Sequence, residues 1–189
     1  KKKLGSDASW EAICDSGKMR GAQPKFNHIL SRTFLRPRDV IQFLNEALYT
    51  AKSRDEEPLI FINEDINGAR SSYSDYLKQE LDDEVKAHWK EWDEALAACS
   101  KSETITFTKD IFTKNYRKMK SKENKLSAEQ ALEMLYRFSI IGYETRLGQG
   151  GSGWAFRYIN SAAKWDPSAS RFKVHLGLKE YAQLKEERA

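Results

Sequence analysis

The segment Arg36–Asp39 (RPRD) constrains the fold of this chain more than any other short stretch. Pro37 suits the first position of a helix, because its φ is fixed near the helical value and no N–H partner is needed there. Asp39 follows in the first turn, where a carboxylate complements the positive end of the helix dipole. The apolar residues that then recur at helical spacing are Val40, Ile41, Phe43, Leu44, Ala47, Leu48 and Ala51. They predict a helix from Pro37 to about Ser53 with one buried face.

Two arginines at this helix start oppose the dipole. Cations are disfavoured at a helix N-terminus, so Arg36 and Arg38 are each expected to have an anionic partner. That partner is either a carboxylate elsewhere in the fold or the phosphate of a ligand, and the sequence leaves both alternatives open.

The helix start and several later segments resemble a known family. The string RTFLRPRDVIQFLNEAL, followed in order by INEDINGARSSYSDYLKQELDDE, LEMLYRFSIIGY, FRYIN and FKVHLGLKEY, resembles the region after the nucleotide-binding core in bacterial AAA-type P-loop ATPases. That family is related to STAND regulators and to origin-recognition ATPases. The resemblance covers about residues 25–183 and implies that Arg38, with Arg36 second, is a sensor-2 arginine touching ATP phosphates. It also implies ATP and Mg²⁺ as ligands of an upstream ATPase domain in the parent protein.

The sequence contains no phosphate-binding loop of its own. A P-loop requires G-x-x-x-x-G-K-[ST], whose amides and lysine surround the phosphates. The glycine cluster Gly148–Gly153 is followed by Trp154 and lies between strand-like segments, which predicts a hairpin tip. Together with this absence, the resemblance implies a C-terminal portion of an ATPase that binds no cofactor itself, with the catalytic half upstream.

Composition favours a cytoplasmic globular chain. The 189 residues are 40% hydrophobic and 32% charged, with no apolar run long enough for a membrane span, so no membrane partner is expected. Cys14 and Cys99 are isolated, as is typical of reduced, partly buried thiols. Residues 1–38 carry a charge of +6, residues 39–104 of −9 and residues 105–189 of +7. This division fits either ion pairing between the acidic and basic segments or an arrangement in which the basic ends face nucleotide or nucleic acid.

Helical spacing continues through the middle of the chain. An apolar stripe from Asn63 to about Cys99 is too long for one straight helix in a small domain, so a break is predicted near Asp82–Glu84. Trp89 and Trp92 lie three residues apart on this stripe, which favours a core or a helix interface over a cofactor clamp.

The last third predicts a winged helix. Thr106 or Thr108 can cap a helix to about Lys120 that buries Ile111, Phe112, Tyr116 and Met119. Ser127–Gln130 forms a capping-box pattern that opens a second helix, to about Phe138. Strand-like alternation follows in residues 154–159 and 171–176, and a short helix is predicted over residues 179–187.

A winged helix raises the question of nucleic-acid binding. In DNA readers of this class, the second helix of the turn enters the major groove. Its outward residues here would be Glu129, Gln130, Glu133, Met134 and Arg137, a set poor in phosphate-binding cations. The preceding helix is more basic, and the resulting nucleic-acid-binding set comprises Lys114, Arg117, Lys118, Lys120, Arg146 and Arg157. This set favours nonspecific phosphate contact over sequence reading.

No catalytic constellation stands out. His28, His88 and His175 lack metal-ligand spacing, and His175 is expected to be a half-exposed structural residue. Consecutive acidic residues on a helix point about 100° apart, so Asp82–Glu84 do not predict a metal site.

The fold class predicted is therefore mostly α with a small antiparallel β wing. A helical lid-like segment would occupy residues 1–60, a helical connector residues 61–100 and a winged-helix domain about residues 85–189. The leading functional hypothesis is a non-catalytic regulatory region that senses nucleotide through Arg38 and relays it to the winged helix. The alternatives are a nucleic-acid-binding module and a protein-interaction or oligomerisation domain of a defence or signalling ATPase.

Overall fold

The computed structural model describes residues 9–54, 59–146 and 151–186, and it divides into two compact units, Lys1–Tyr73 and Ser74–Ala189. The helices are α1 (Lys25–Leu30), α2 (Pro37–Lys52), α3 (Asn63–Val85), α4 (Trp92–Ser100), α5 (Lys109–Met119) and α6 (Ala128–Arg137). The strands are β1 (Thr106–Thr108), β2 (Ile141–Arg146), β3 (Ser152–Ala155) and β4 (Arg171–Val174). The predicted fold class, mostly α with a small antiparallel sheet, is confirmed. The domain boundaries inferred from the sequence stay predictions.

The core of the first unit lies between α2 and the beginning of α3. Phe43, Ala47 and Ala51 recur every four residues along α2 and are fully buried. The Phe43 ring packs on Tyr73 at a centroid distance of 4.9 Å. Ile41, which was expected on the buried face, is 59% exposed, so that expectation is wrong. At about 100° per residue it lies some 200° from Phe43, on the opposite side of the helix.

An arginine–carboxylate fork joins the end of α2 to the beginning of α3. The Nε and NH2 atoms of Arg54 each lie 3.0 Å from one oxygen of the fully buried Asp65. Asp65 also accepts the backbone N–H of Ile62 at 2.9 Å. A buried carboxylate is tolerated because this paired geometry replaces its hydration.

The long apolar stripe breaks as predicted. Helix α3 ends at Val85 and α4 begins at Trp92, so the break falls just after the acidic trio. Trp89 and Trp92 are both buried, as expected of core anchors, and the Trp92 indole N–H donates to Asp82 at 2.9 Å.

The sheet of the second unit is antiparallel, in the order β1-β4-β2-β3. Helices α5 and α6 are followed by strands β2 and β3, which pair in antiparallel register. Arg146 pairs with Ser152 where the hairpin turns, and residues 147–150 of the predicted tip lie outside the described residues. The strand predicted over residues 154–159 is shifted to Ser152–Ala155.

The two caps predicted in this unit are confirmed. The Thr108 hydroxyl accepts the backbone N–H of Ile111, and Ser127 and Gln130 form a reciprocal capping box. Ile111 itself is 45% exposed, although the sequence placed it in the core. It precedes the buried Phe112 by one residue and so points about 100° away from the core direction.

The end of the chain differs from expectation. Residues 179–183 form turns rather than a helix, after a 3₁₀ turn at Leu176–Leu178, and residue 187 of the predicted helix lies outside the described residues. Gln183 has a φ of 54°, which interrupts helical geometry, and Lys185 pairs with Thr104 instead. His175 is 1% exposed rather than half-exposed, because its ring is enclosed edge to face by Phe156 and Tyr158 and its Nδ1 accepts the Gly177 N–H.

Candidate functional site: the start of helix α2

A tight turn sets the direction in which α2 begins. The buried Asp39 accepts the backbone N–H of Phe34 at 3.3 Å, which ties the residues before the helix to its first turn. Leu35 has a φ of 58°, a left-handed conformation that is unfavourable for a residue with a γ-branched side chain. Its N–H donates to the Thr33 hydroxyl at 3.3 Å. Strained backbone of this kind persists where the surrounding contacts hold it in place.

This turn leaves four consecutive residues, 35–38, at the surface. Leu35 is 51% exposed and the Arg38 side chain is 61% exposed. The Arg36 guanidinium lies over the Phe34 ring, 5.6 Å from its centroid, while Arg38 Nε lies 3.9 Å from the Asp39 carboxylate. Both arginines therefore have intramolecular neighbours and still present cationic surface to solvent at the positive end of the α2 dipole.

Exposed apolar side chains continue along α2 from Arg38. Ile41 is 59% and Tyr49 79% exposed, and with Asn45 they lie on the helix side that carries Arg38. The sequence reasoning missed this face because it placed Ile41 on the buried side and left Tyr49 unassigned. The angular separation of Tyr49 from Phe43, about 240°, is the signal that would have identified it.

The structure separates the predicted nucleic-acid-binding cations into distinct groups. Lys114, Arg117 and Lys118 are exposed on α5, and none of them makes an ion pair with any residue in the described ranges. Lys120 Nζ instead donates to the Leu126 carbonyl at 2.6 Å, so this residue closes the connection between α5 and α6.

The other two members of that set lie on the β side of the unit. Arg146 is exposed at the end of β2. Arg157 is also exposed, and its guanidinium donates to the Arg137 carbonyl at 3.4 Å. On the outer face of α6, Glu129 and Glu133 are exposed, and Lys109 binds Glu129 at 2.9 Å.

The histidines and cysteines do not form a metal site among the described residues, where no group of three or more His, Cys, Asp or Glu side chains converges. His28 is buried in the first unit, with Nδ1 3.0 Å from Gln23 Oε1 and Nε2 3.0 Å from Arg70 NH2. Cys14 and Cys99 are buried thiols, and burial raises the pKa of Cys14 to about 11.

Within the described ranges no helix combines the length and the apolar composition that a membrane crossing requires.

Comparison with known protein families finds a similarity in the first part of the chain. The family described as the FunZ-associated C-terminal helical domain matches residues 1–82, a range that contains α1, α2 and most of α3. No curated protein and no solved structure matches this chain. The first part of the chain is thus similar to a domain family described as helical and C-terminal.

Proposed function

We propose that this chain is a non-catalytic regulatory region of a P-loop ATPase, in which Arg38 contacts the phosphates of a nucleotide bound by another domain. Arg36 assists, and a change in the contact is passed on to the winged-helix unit. The observation that carries the proposal is the exposed cationic start of α2, where a turn held by Asp39 presents both guanidinium groups.

The physical chemistry of this start suits a phosphate. The helix dipole favours an anion at the N-terminus of this 16-residue helix. A guanidinium can bind phosphate in a bidentate manner, which a lysine cannot do. The sequence resemblance to a sensor-2 arginine supports the same position, and the match to a C-terminal helical domain covers it.

The exposed face next to Arg38 supports a docked arrangement. Leu35, Ile41 and Tyr49 are large apolar or aromatic side chains that remain at least half exposed. Burial of such side chains stabilises an interface, so a neighbouring domain of the parent protein that covers them would bring its nucleotide close to Arg38.

The test is replacement of Arg38 in the full-length protein. Loss of one charge-assisted hydrogen bond, at about 1.5–3 kcal/mol, should lower ATP affinity or hydrolysis about 10- to 150-fold in Arg38→Ala. Lys52→Ala is the matched control, because it removes an exposed cation from the other end of the same helix. Arg38→Lys should recover only part of the loss. Unchanged affinity and hydrolysis in Arg38→Ala would exclude the sensing role.

A second candidate function is nonspecific binding of nucleic-acid backbone through α5. It is favoured by Lys114, Arg117 and Lys118, which are exposed and make no ion pair within the described part of the chain. Reversal of all three charges to glutamate should reduce the salt dependence of duplex binding, with the logarithmic slope falling by about 3. Lys120 is a poor choice for this test, because its ammonium group holds the Leu126 carbonyl. Duplex binding that is equal in the wild type and the triple variant would eliminate this candidate.

A further inference from the structure

A cavity of about 550 Å³ opens in the second unit where α6 ends. It is bounded on one side by α6 and on the other by the segment that connects β3 to β4. The side chains in its lining that can recognise a ligand are Glu133, Tyr136, Arg137, Arg157, Lys164 and Trp165. Its volume lies within the range of small-molecule sites, about 300–1,000 Å³.

Trp165 forms a rigid aromatic wall of this cavity. Its ring stacks on the fully buried Phe172, at a centroid distance of 5.8 Å and an interplanar angle of 18°. Tyr143 meets it edge to face at 6.2 Å, and Tyr136 packs against it at 5.5 Å. Trp165 nevertheless stays half-buried and lines the cavity, so a planar ligand can reach a ring that is already fixed in orientation.

Two tyrosine hydroxyls hold the segment that carries Trp165. Tyr136 donates to the Ala163 carbonyl at 3.1 Å and Tyr143 donates to the Lys164 carbonyl at 2.9 Å. These bonds fix the wall of the cavity relative to α6 and β2, so the site is formed before any ligand arrives.

The cavity is cationic. Arg137, Arg157 and Lys164 are exposed around it, against one carboxylate, that of Glu133. Arg157 donates through NH1 to the Arg137 carbonyl at 3.4 Å, which places both arginines at the end of α6. The negative C-terminal end of the α6 dipole favours these cations but by itself opposes an anion, so attraction of an anion to this cavity must come from the guanidinium groups.

We propose that this cavity binds a nucleotide, with the base stacked on Trp165 and the phosphate held by Arg137 and Arg157. Stacking of bases on aromatic rings tolerates any base, and arginine binds phosphate as a planar fork. Glu133 can accept a hydrogen bond from an exocyclic amino group, which favours adenine, guanine and cytosine over thymine and uracil. The nucleotide is either free or part of a single strand, and this inference does not depend on the role of Arg38.

The experiment titrates the full-length protein with AMP and, separately, with fluorescein-labelled 12-mers of deoxyadenosine and of thymidine. Arg137→Ala/Arg157→Ala should weaken binding about tenfold or more. Trp165→Leu, which keeps an apolar side chain but removes the stacking surface, should weaken binding about 5- to 150-fold. The arginine variant keeps the proposal testable if Trp165→Leu fails to fold, because both arginines are exposed.

The matched control is Lys90→Ala/Lys101→Ala, which removes two exposed cations from the same unit. It should leave binding within about twofold of the wild type, since it touches no residue of the cavity. Binding of AMP with the expected losses identifies a free nucleotide, and binding of the 12-mers alone identifies a single strand. The proposal is overturned by an absence of saturable binding at low salt, or by equal losses in the arginine variant and the control.

Discussion

Replacement of Lys78 by methionine should destabilise the second unit far more than the same replacement of Lys86. Both ammonium groups contact the same two carboxylates: Lys78 Nζ lies 2.7 Å from Asp82 and 2.8 Å from Asp93, and Lys86 Nζ lies 3.1 Å and 3.5 Å from them. They differ in burial, because the Lys78 side chain is 6% exposed and that of Lys86 is 45% exposed. The Lys78 ammonium group also lies over the rings of Trp92 and Tyr181, at 4.6 Å and 5.3 Å from their centroids, so its replacement removes these buried contacts as well.

The expected cost follows from what Lys78 leaves behind. Burial disfavours its charge, but hydrogen bonds to Asp82 and Asp93 outweigh that effect and raise the pKa of Lys78, so it is charged in the folded state. Removal of one member of a fully buried pair costs about 3–5 kcal/mol. Asp82 and Asp93 are 23% and 49% exposed and keep Lys86, which reduces the expected cost to about 2–3 kcal/mol. The Lys86 replacement should be within the error of the measurement.

Urea unfolding followed by tryptophan fluorescence measures this difference. Four of the five tryptophans lie in the second unit, so the signal reports mainly on its unfolding. With a slope of about 2 kcal/mol per molar urea, Lys78→Met should lower the midpoint by about 1 M or more. Equal midpoints for the two variants would refute the reasoning that burial makes the Lys78 pairing costly to remove.

Three further predictions concern titration, reactivity and packing. Burial opposes the charge of Asp82, but the lysines that bind it outweigh this effect and lower its pKa below the ordinary value of 3.8. The stability that the Asp82 carboxylate contributes is therefore present above pH 3.8 and is lost as the pH falls below that value. Asp82→Asn should therefore show a smaller loss of thermal stability on acidification from pH 5. Cys14, with a pKa of about 11, should react with iodoacetamide at pH 8 only after denaturation, as followed by mass spectrometry. Gly142→Ala would place a methyl group 2.8 Å from the Ala155 carbonyl and should cost about 1–3 kcal/mol in thermal unfolding.

The parts of the fold that the sequence predicted are those determined by local signals. Thr108 and Ser127 each accept a backbone N–H three residues ahead, and Pro37 fixes φ at the first helical position, so their helices begin where expected. The helix predicted over residues 179–187 was wrong because the conformation of this segment depends on a partner far away in the chain. The Lys185 N–H donates to the Glu103 carbonyl at 2.8 Å, and no local sequence pattern predicts this hydrogen bond.

The same distinction applies to the candidate sites. Arg36 and Arg38 were selected because their position on the helix is electrostatically unusual, which the local sequence reveals, and their sensing role stays a prediction. The hydrogen bond from the Lys120 ammonium group to the Leu126 carbonyl could not be predicted from a cluster of basic residues. Tyr136 and Trp165 are 29 positions apart in the chain and meet only through the fold, so the cavity that they line has no sequence signature.

The central claim is that Arg38 contacts the phosphates of a nucleotide bound by the parent protein. Its most direct test is the ratio of dissociation constants for Arg38→Ala and wild type, measured calorimetrically in the full-length protein with ATP and with adenosine. A phosphate contact predicts a ratio of about 10 or more for ATP and about 1 for adenosine. A ratio near 1 for both ligands, or an equal increase for both, would contradict the account.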